Sequence, residues 1–308
     1  MAIKHYSKVT DFNKEDFIDL FKRADYFIEH KDKAFDFCKG KVIATLFFQP
    51  STRTSGTFQA GMIKLGGGWI GVSGAQGTSM EKGESFEDTV ENYSRFSDII
   101  VIRHPDDDAA ERAVQHSLVP IINGGSGSKE HPGGFCMLYG AYRRFKKLEG
   151  LKFGIYGTPG INRASKSLVQ ILGMFNSEIY LDDLGGFPLP PDVEQKAKDL
   201  GAKKIVYDRL ENFIGKIDCL MVTRALQTGI IKDFPKEKAD EILRRYKPIT
   251  MKEVNMMRKD AILTMALPRI FEIDKEVDKD PRAIYFDQME EFLYANMALI
   301  TKLLNIKL

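Results

Sequence analysis

Cysteine is scarce. Three occur in 308 residues, Cys38, Cys136 and Cys219, and none forms a C-x-x-C pair. That count excludes a disulfide framework and a cysteine-built zinc module, and fits reduced thiols acting as small buried apolar residues. An excess of one charge is also lacking. Lys and Arg total 45 against 43 Asp and Glu, a net +2, so no global field draws nucleic acid or an anionic membrane, and anion selectivity must be local. No apolar run approaches the roughly 20 residues of a membrane span. The first residues, Met-Ala-Ile-Lys-His-Tyr, hold no apolar signal stretch, so a cytoplasmic location is expected. No His/Cys/Asp spacing suggests a metal. Repeats and low-complexity tracts are missing too.

What is present is ordinary globular material, 43% hydrophobic and 29% charged, in a chain long enough for two domains. Helical spacing runs over 11–37, with Asp11 or Asn13 as cap. Strands and helices then alternate: strand 41–48, helix 52–65, strand 69–72, helix 83–96, strand 98–103, helix 107–116, strand 119–122. A helix over 132–148, rich in Tyr, Arg and Lys, marks the hinge. The second series is strand 151–156, helix 162–174, strand 177–182, helix 191–199, strand 204–207 and strand 218–222. Such alternation predicts βαβ units and a parallel sheet in each half. Residues 287–304 form a last amphipathic helix.

The most informative stretch is Phe47-Phe48-Gln49-Pro50-Ser51-Thr52-Arg53-Thr54. A buried strand stops at Pro50, and Ser51 is placed to cap a helix beginning at Thr52. Free backbone N–H groups, the positive helix end, three hydroxyls and the fork of Arg53 make an anion site. An ordinary capped helix with a solvated arginine is the bland alternative.

That segment resembles the carbamoyl-phosphate signature of the aspartate and ornithine carbamoyltransferases, usually F-F-E-P-S-T-R-T-R. The resemblance continues in order along the chain. Thr78-Ser79-Met80-Glu81-Lys82-Gly83-Glu84-Ser85 is similar to S-x-x-K-G-E-[ST], and Arg103-His104-Pro105 to R-H-P. Asn123-Gly124-Gly125-Ser126-Gly127 leading to His131-Pro132 is similar to N-A-G-D-G…H-P. Arg163 to Leu168 resembles the G-R-x-x-x-S-L helix start, Thr223-Arg224-Ala225-Leu226-Gln227 resembles T-R-x-Q, and Leu267-Pro268-Arg269 with Glu272-Ile273 resembles L-P-R-x-x-E-I. The ornithine branch's H-C-L-P loop is absent, so the aspartate branch fits better.

The resemblance implies two doubly wound α/β parallel-sheet domains with the active site in the cleft between them. Residues 1–134 would bind carbamoyl phosphate, with 287–308 packing back on them, and 135–286 would bind aspartate. The implied reaction carries a carbamoyl group from carbamoyl phosphate to the aspartate amine, a step of pyrimidine synthesis, without cofactor or metal. Phosphate would lie on Ser51, Thr52, Arg53 and Thr54. Arg103, Thr54 and His131 would polarise the carbonyl, and the Leu267 carbonyl would take the carbamoyl NH₂. Ser79 and Lys82 would reach a neighbouring subunit's site in a homotrimer, Lys82 touching both substrates. Arg163, Arg224 and Gln227 would hold aspartate, two arginines suiting two carboxylates. A regulatory chain is a partner the family allows. His104 and His116 look structural.

Three positions depart from the family pattern. Gly134 stands where H-P-x-Q has its glutamine, Gln49 replaces a glutamate that helps lock the domains closed, and the K-E-R after the T-R-x-Q motif is missing. A missing acceptor for the NH₂ costs about 1–3 kcal/mol if unreplaced. Two rivals follow: a paralogue that binds without turnover or uses another acceptor, and a nucleotide-dependent oxidoreductase. The second rests on Gly154-Ile155-Tyr156-Gly157-Thr158-Pro159-Gly160 with Asp182-Asp183, which only partly meets G-x-G-x-x-G.

Overall fold

The computed structural model describes residues 3–74, 76, 78–131, 133–225 and 235–308. The chain divides into two compact units, Met1–Pro132 with Met289–Leu308, and Gly133–Gln288.

In the first unit, α1 (Lys14–Glu29) starts at Asn13, whose side chain accepts from the Asp16 N–H while the Asp16 carboxylate accepts from the Asn13 N–H. The helix ends well before residue 37. The next apolar residues, Phe35 and Phe37, are two apart, a spacing one helix face cannot carry, and they stack on each other beside Phe27. Strands β1 (Val42–Phe47), β2 (Gly68–Ser73), β3 (Ile99–Arg103) and β4 (Ile121–Asn123) form a parallel sheet in the order β2-β1-β3-β4. Helices α2 (Arg53–Lys64), α3 (Phe86–Phe96) and α4 (Ala109–His116) connect them. β3 and nearly all of β1 are buried, as parallel strands covered on both faces are. From β1 the chain steps to β2 on one side and then to β3 on the other. The C-terminal ends of β1 and β3, where Phe47 pairs with Arg103, therefore flank a topological switch point, the usual ligand position in open α/β sheets.

The second unit repeats the plan. Its elements are α5 (Gly133–Phe145), β5 (Lys152–Tyr156), α6 (Arg163–Met174), β6 (Glu178–Asp182), α7 (Pro191–Asp199), β7 (Lys204–Tyr207), α8 (Leu210–Phe213), β8 (Cys219–Val222), α9 (Lys236–Arg245), α10 (Met251–Met256) and β9 (Ile262–Met265). The parallel sheet runs β7-β6-β5-β8-β9, with a second switch point between β5 and β8, where Tyr156 pairs with Val222. α8, α9, α10 and β9 have no counterpart in the series expected from sequence. β9 is four buried apolar-rich residues, and periodicity cannot separate so short a run from a helix fragment.

The last helix, α11 (Gln288–Leu303), lies from Met289 onward with the first unit. A Cβ added to Gly61 of α2 would sit 3.2 Å from Met297, and Lys302 pairs with Asp19 and Asp16 of α1. The three cysteines are buried and free. Burial pushes the Cys38 thiol up to about 11, which keeps it unreactive.

Candidate active site

The first switch point is built around α2. Its N-cap is Thr52, already helical in φ and ψ and without a side-chain cap bond. The helix thus begins one residue later than the sequence suggests. Ser51 is not its cap, yet its hydroxyl accepts from the Ser55 N–H at 3.2 Å and so still satisfies a first-turn amide. No acidic residue sits in that first turn, which opens on half-buried Arg53. A cation at a helix N-terminus is disfavoured by the helix dipole, so this end is arranged for an anion.

Arg103, at the end of β3, is 7% exposed, and all three guanidinium nitrogens are engaged. Nε donates to the Gly124 carbonyl at 2.8 Å, Nη1 to the Pro50 carbonyl at 3.3 Å and Nη2 to Thr54 Oγ1 at 2.9 Å. Nη2 also lies 2.7 Å from His131 Nε2, and Thr54 Oγ1 is 3.2 Å from the same nitrogen. A guanidinium only donates, so His131 Nε2 is an acceptor here and its neutral ring carries the proton on Nδ1. The structure brings Thr54, Arg103 and His131 into one hydrogen-bonded cluster beside the start of α2.

Between β4 and His131 the backbone is shaped by glycine. Gly125 has φ +106°, and a Cβ there would lie 2.4 Å from the His131 ring. Asn123, whose role the sequence did not reveal, accepts from the Gly125 and Ser126 amides at 2.8 and 2.9 Å.

In the second unit, Arg163 opens α6, whose N-cap Asn162 accepts from the Ser165 N–H. Arg224 follows β8. Thr223 Oγ1 accepts from the Thr158 N–H at 2.6 Å, and Thr158 Oγ1 donates to the Arg224 carbonyl at 2.8 Å. The Arg224 Nε is buried without a hydrogen-bond partner among the described residues, as fits a donor awaiting a ligand. Glu272, 1% exposed, accepts from the Ala225, Ile270 and Phe271 amides. It ties the Arg224 loop to the segment after Leu267-Pro268, a cis peptide. Gln227 lies outside the described residues.

The glycines that hinted at a nucleotide site have packing reasons. A Cβ on Gly154 would lie 2.5 Å from Ile217, one on Gly157 2.4 Å from Thr223 Oγ1, and one on Gly160 2.0 Å from the Pro188 carbonyl. The Asp182 carboxylate accepts from the backbone of Leu184 and Leu210. These contacts account for the partial fingerprint by packing and backbone hydrogen bonding.

Comparison with known proteins decides the family. A profile described as the carbamoyl-P binding domain of aspartate/ornithine carbamoyltransferase matches residues 4–135, and one described as its Asp/Orn binding domain matches residues 149–303. The chain belongs to the aspartate/ornithine carbamoyltransferase family. It is 36% identical over 300 residues to the aspartate carbamoyltransferase catalytic subunit of Clostridium novyi, covering 96% of each chain. It is 37% identical over 306 residues to that of Sulfurisphaera tokodaii, covering 98% of this chain and 99% of the other. The fold is similar to the catalytic subunit of M. jannaschii aspartate transcarbamoylase, with TM-score 0.87, 34% identity and 98% of each chain covered. It is also similar to Trypanosoma cruzi aspartate transcarbamoylase in complex with carbamoyl phosphate and aspartate, with TM-score 0.89, 27% identity and 96% and 95% covered.

As a carbamoyltransferase-family chain it departs most visibly at Gly134, and the structure gives a packing reason. A Cβ there would lie 2.7 Å from Ser167 Cβ and 2.8 Å from the Leu168 amide. α5 passes too close to α6 for a glutamine at this position. Ser79–Lys82 in the loop around Lys82 form a 3₁₀ turn, with Thr78 accepting from the Met80 N–H and Gly83 at φ +97°. Ser79 and Lys82 are both exposed in the single chain. His104 is packed against Phe48 and Phe86 and accepts from the Asp106 N–H, a structural setting. Among the described residues no group of three or more His, Cys, Asp or Glu is placed to hold a metal, and no helix is long and apolar enough to cross a membrane.

Proposed function

We propose that this chain transfers the carbamoyl group of carbamoyl phosphate to the α-amine of L-aspartate, giving N-carbamoyl-L-aspartate and phosphate, a step of pyrimidine synthesis. The observation that carries the reading is the Arg103–Thr54–His131 cluster beside the anion-ready start of α2. Ser51, Thr52, Arg53 and Thr54 hold the phosphate. The donors of Arg103 and Thr54 turn from His131 to the carbonyl oxygen as it enters, and stabilise the charge that grows there in the tetrahedral transition state. His131 joins them as a donor in its other neutral tautomer, with the proton on Nε2. Phosphate is a good leaving group, so no enzyme nucleophile is needed, and rate comes from positioning and charge stabilisation.

Arg163 and Arg224, with Gln227, bind the two aspartate carboxylates, and the Leu267 carbonyl receives the carbamoyl NH₂. The buried Arg224 Nε, without a hydrogen-bond partner among the described residues, supports that role. Ser79 and Lys82 serve the site of a neighbouring subunit in a homotrimer, for which their exposure on the single chain is the support. The trimer works in the cytoplasm.

The test is phosphate release from carbamoyl phosphate with a panel of amino acids. Release with aspartate alone is expected. Release with another amino acid would move the acceptor assignment. Thermal stabilisation by carbamoyl phosphate with no release from any acceptor would favour the binding-only reading, which the missing side chain at Gly134 motivates.

A further inference from the structure

The loop that carries His131 is tied at both ends to the amino-terminal segment. Tyr6 forms an isolated bridge with Ile122 of β4, its N–H donating to the Ile121 carbonyl and its carbonyl accepting from the Asn123 N–H, both at 2.8 Å. One residue on, the Ser7 carbonyl accepts from Asn123 Nδ2 at 2.9 Å. The other side of the same amide, Oδ1, accepts from the Gly125 and Ser126 N–H groups. At the far end of the loop Glu130, the neighbour of His131, accepts from the Val9 N–H at 2.5 Å. Tyr6, Ser7, Val9 and Asn123 are all buried. Between the two ties lie the Gly124 carbonyl that receives Arg103 Nε and Gly125, where an added Cβ would lie 2.4 Å from the His131 ring.

We infer that Asn123 is a positioning residue, and that residues 6–9 act through it and Glu130 as a strap setting Arg103 and His131 at their working separation. The chemistry is specific to an amide. Oδ1 must accept two loop N–H groups while Nδ2 donates to a carbonyl, and among residues of this size only asparagine presents both functions side by side. Loss of either function frees one end of the loop. A displacement of about 1 Å in a catalytic group costs on the order of a hundredfold in rate. This inference rests on the carbamoyl-transfer reading for its kinetic arm only.

The test uses the full chain with Asn123→Ala, Asn123→Asp and, as a control in the same strand, Ile121→Val, which trims a buried side chain without touching the loop. Phosphate release gives kcat and KM, and ¹⁵N spectra of the five histidines report the His131 tautomer. Asn123→Ala should lower kcat about a hundredfold with KM for aspartate little changed, and should remove the Nδ1–H signature of His131 while the other four histidines keep theirs. Asn123→Asp retains an oxygen that can accept both loop N–H groups but not the donor, and should fall between wild type and Asn123→Ala. Ile121→Val should lose stability and keep both kcat and the His131 signature. Wild-type kcat and an unchanged His131 signature in Asn123→Ala would overturn the inference. So would a loss in Ile121→Val as large as in Asn123→Ala, since that makes it a stability effect. If Asn123→Ala does not fold, an Asn123→Asp variant indistinguishable from wild type in both readouts overturns it equally. If wild type releases no phosphate, the reaction assignment fails while the His131 spectra still decide the role of Asn123.

Discussion

Arg53 and Arg103 are both arginines of the first unit's switch point, and their surroundings give them opposite balances of stability and function. Arg103 is buried with every nitrogen bonded, so its removal strands several buried acceptors. Arg53 is half-buried at the positive end of α2, where a cation is disfavoured by about 0.3–1 kcal/mol. Arg53→Ala should therefore abolish carbamoyl-phosphate binding at a smaller cost in unfolding midpoint than Arg103→Ala. Calorimetric titration and a denaturant melt check the two halves, and a drop in midpoint as large as that of Arg103→Ala would show Arg53 to be structural. His104 gives a pH prediction. Burial lowers its pKa, with the nearby Asp106 carboxylate opposing, and burial also lowers that of His5 against Asp11. The unfolded chain then takes up these protons first, so stability is complete above the ordinary value of about 6.5 and is lost as pH falls from there through the folded values. Melts at pH 7 and pH 5 should show that loss, and His104→Gln, which keeps an acceptor for the Asp106 N–H, should flatten the slope. The cluster residues themselves were legible: Arg103 ends an apolar strand, Thr54 follows a strand-stopping proline, and His131 follows a glycine run. Asn123 and Glu272 stood inside the same motifs without a visible task. Which amides a side chain receives is fixed by loop conformation, and residue type alone does not encode that.

At the scale of elements, α2 is steadied by α11. Thr57 Oγ1, one turn into α2, lies 2.9 Å from the Arg53 carbonyl and 3.1 Å from that of Thr54, to which it donates, and it accepts from Asn296 Nδ2 at 2.9 Å. Asn296 is 3% exposed. The C-terminal helix thus reaches the backbone of Arg53 and Thr54 through one hydroxyl. Asn296→Ala should cost about 1–2 kcal/mol of stability, the usual range for a lost buried hydrogen bond, and should also weaken carbamoyl-phosphate binding because the first turn of α2 loses its brace. A denaturant series with a ligand titration separates the two effects; lost stability at unchanged affinity would reduce α11 to an anchor. The sequence reached the helix–strand alternation wherever a strong apolar run met a clear stop, as at Pro50. Between residues 209 and 265 it reached β8 but missed α8, α9, α10 and β9, of which α8 and β9 have four residues each and α10 has six. Elements that short derive their structure from the core they complete, where Val222, Val254, Leu263 and Met265 are buried together.

For the whole molecule, two sheets of the same winding place one arginine-bearing switch point in each unit. Arg103 ends β3 in the first, and Arg163 and Arg224 follow β5 and β8 in the second. Helix–strand alternation was enough for a parallel sheet in each half, while the double winding was what the family resemblance implied. Assembly is a different matter. Composition says nothing of it, and Lys82 on its 3₁₀ turn is exposed in the single chain. If Lys82 serves a neighbour's site while Arg53 serves its own chain's, two inactive variants should complement. In a closed ring of three, Lys82→Ala and Arg53→Ala chains mixed at random give mixed trimers three times in four, and every mixed trimer holds one junction with both residues intact. Equal mixing should then restore about a quarter of wild-type activity, an expectation set by cyclic symmetry alone. Neither variant alone should show it, and recovery should rise with the rate of subunit exchange. Mixed trimers proven by mass to contain both chains, yet inactive, would place Lys82 and Arg53 in the same chain's site and remove the reason for a trimer from the mechanism.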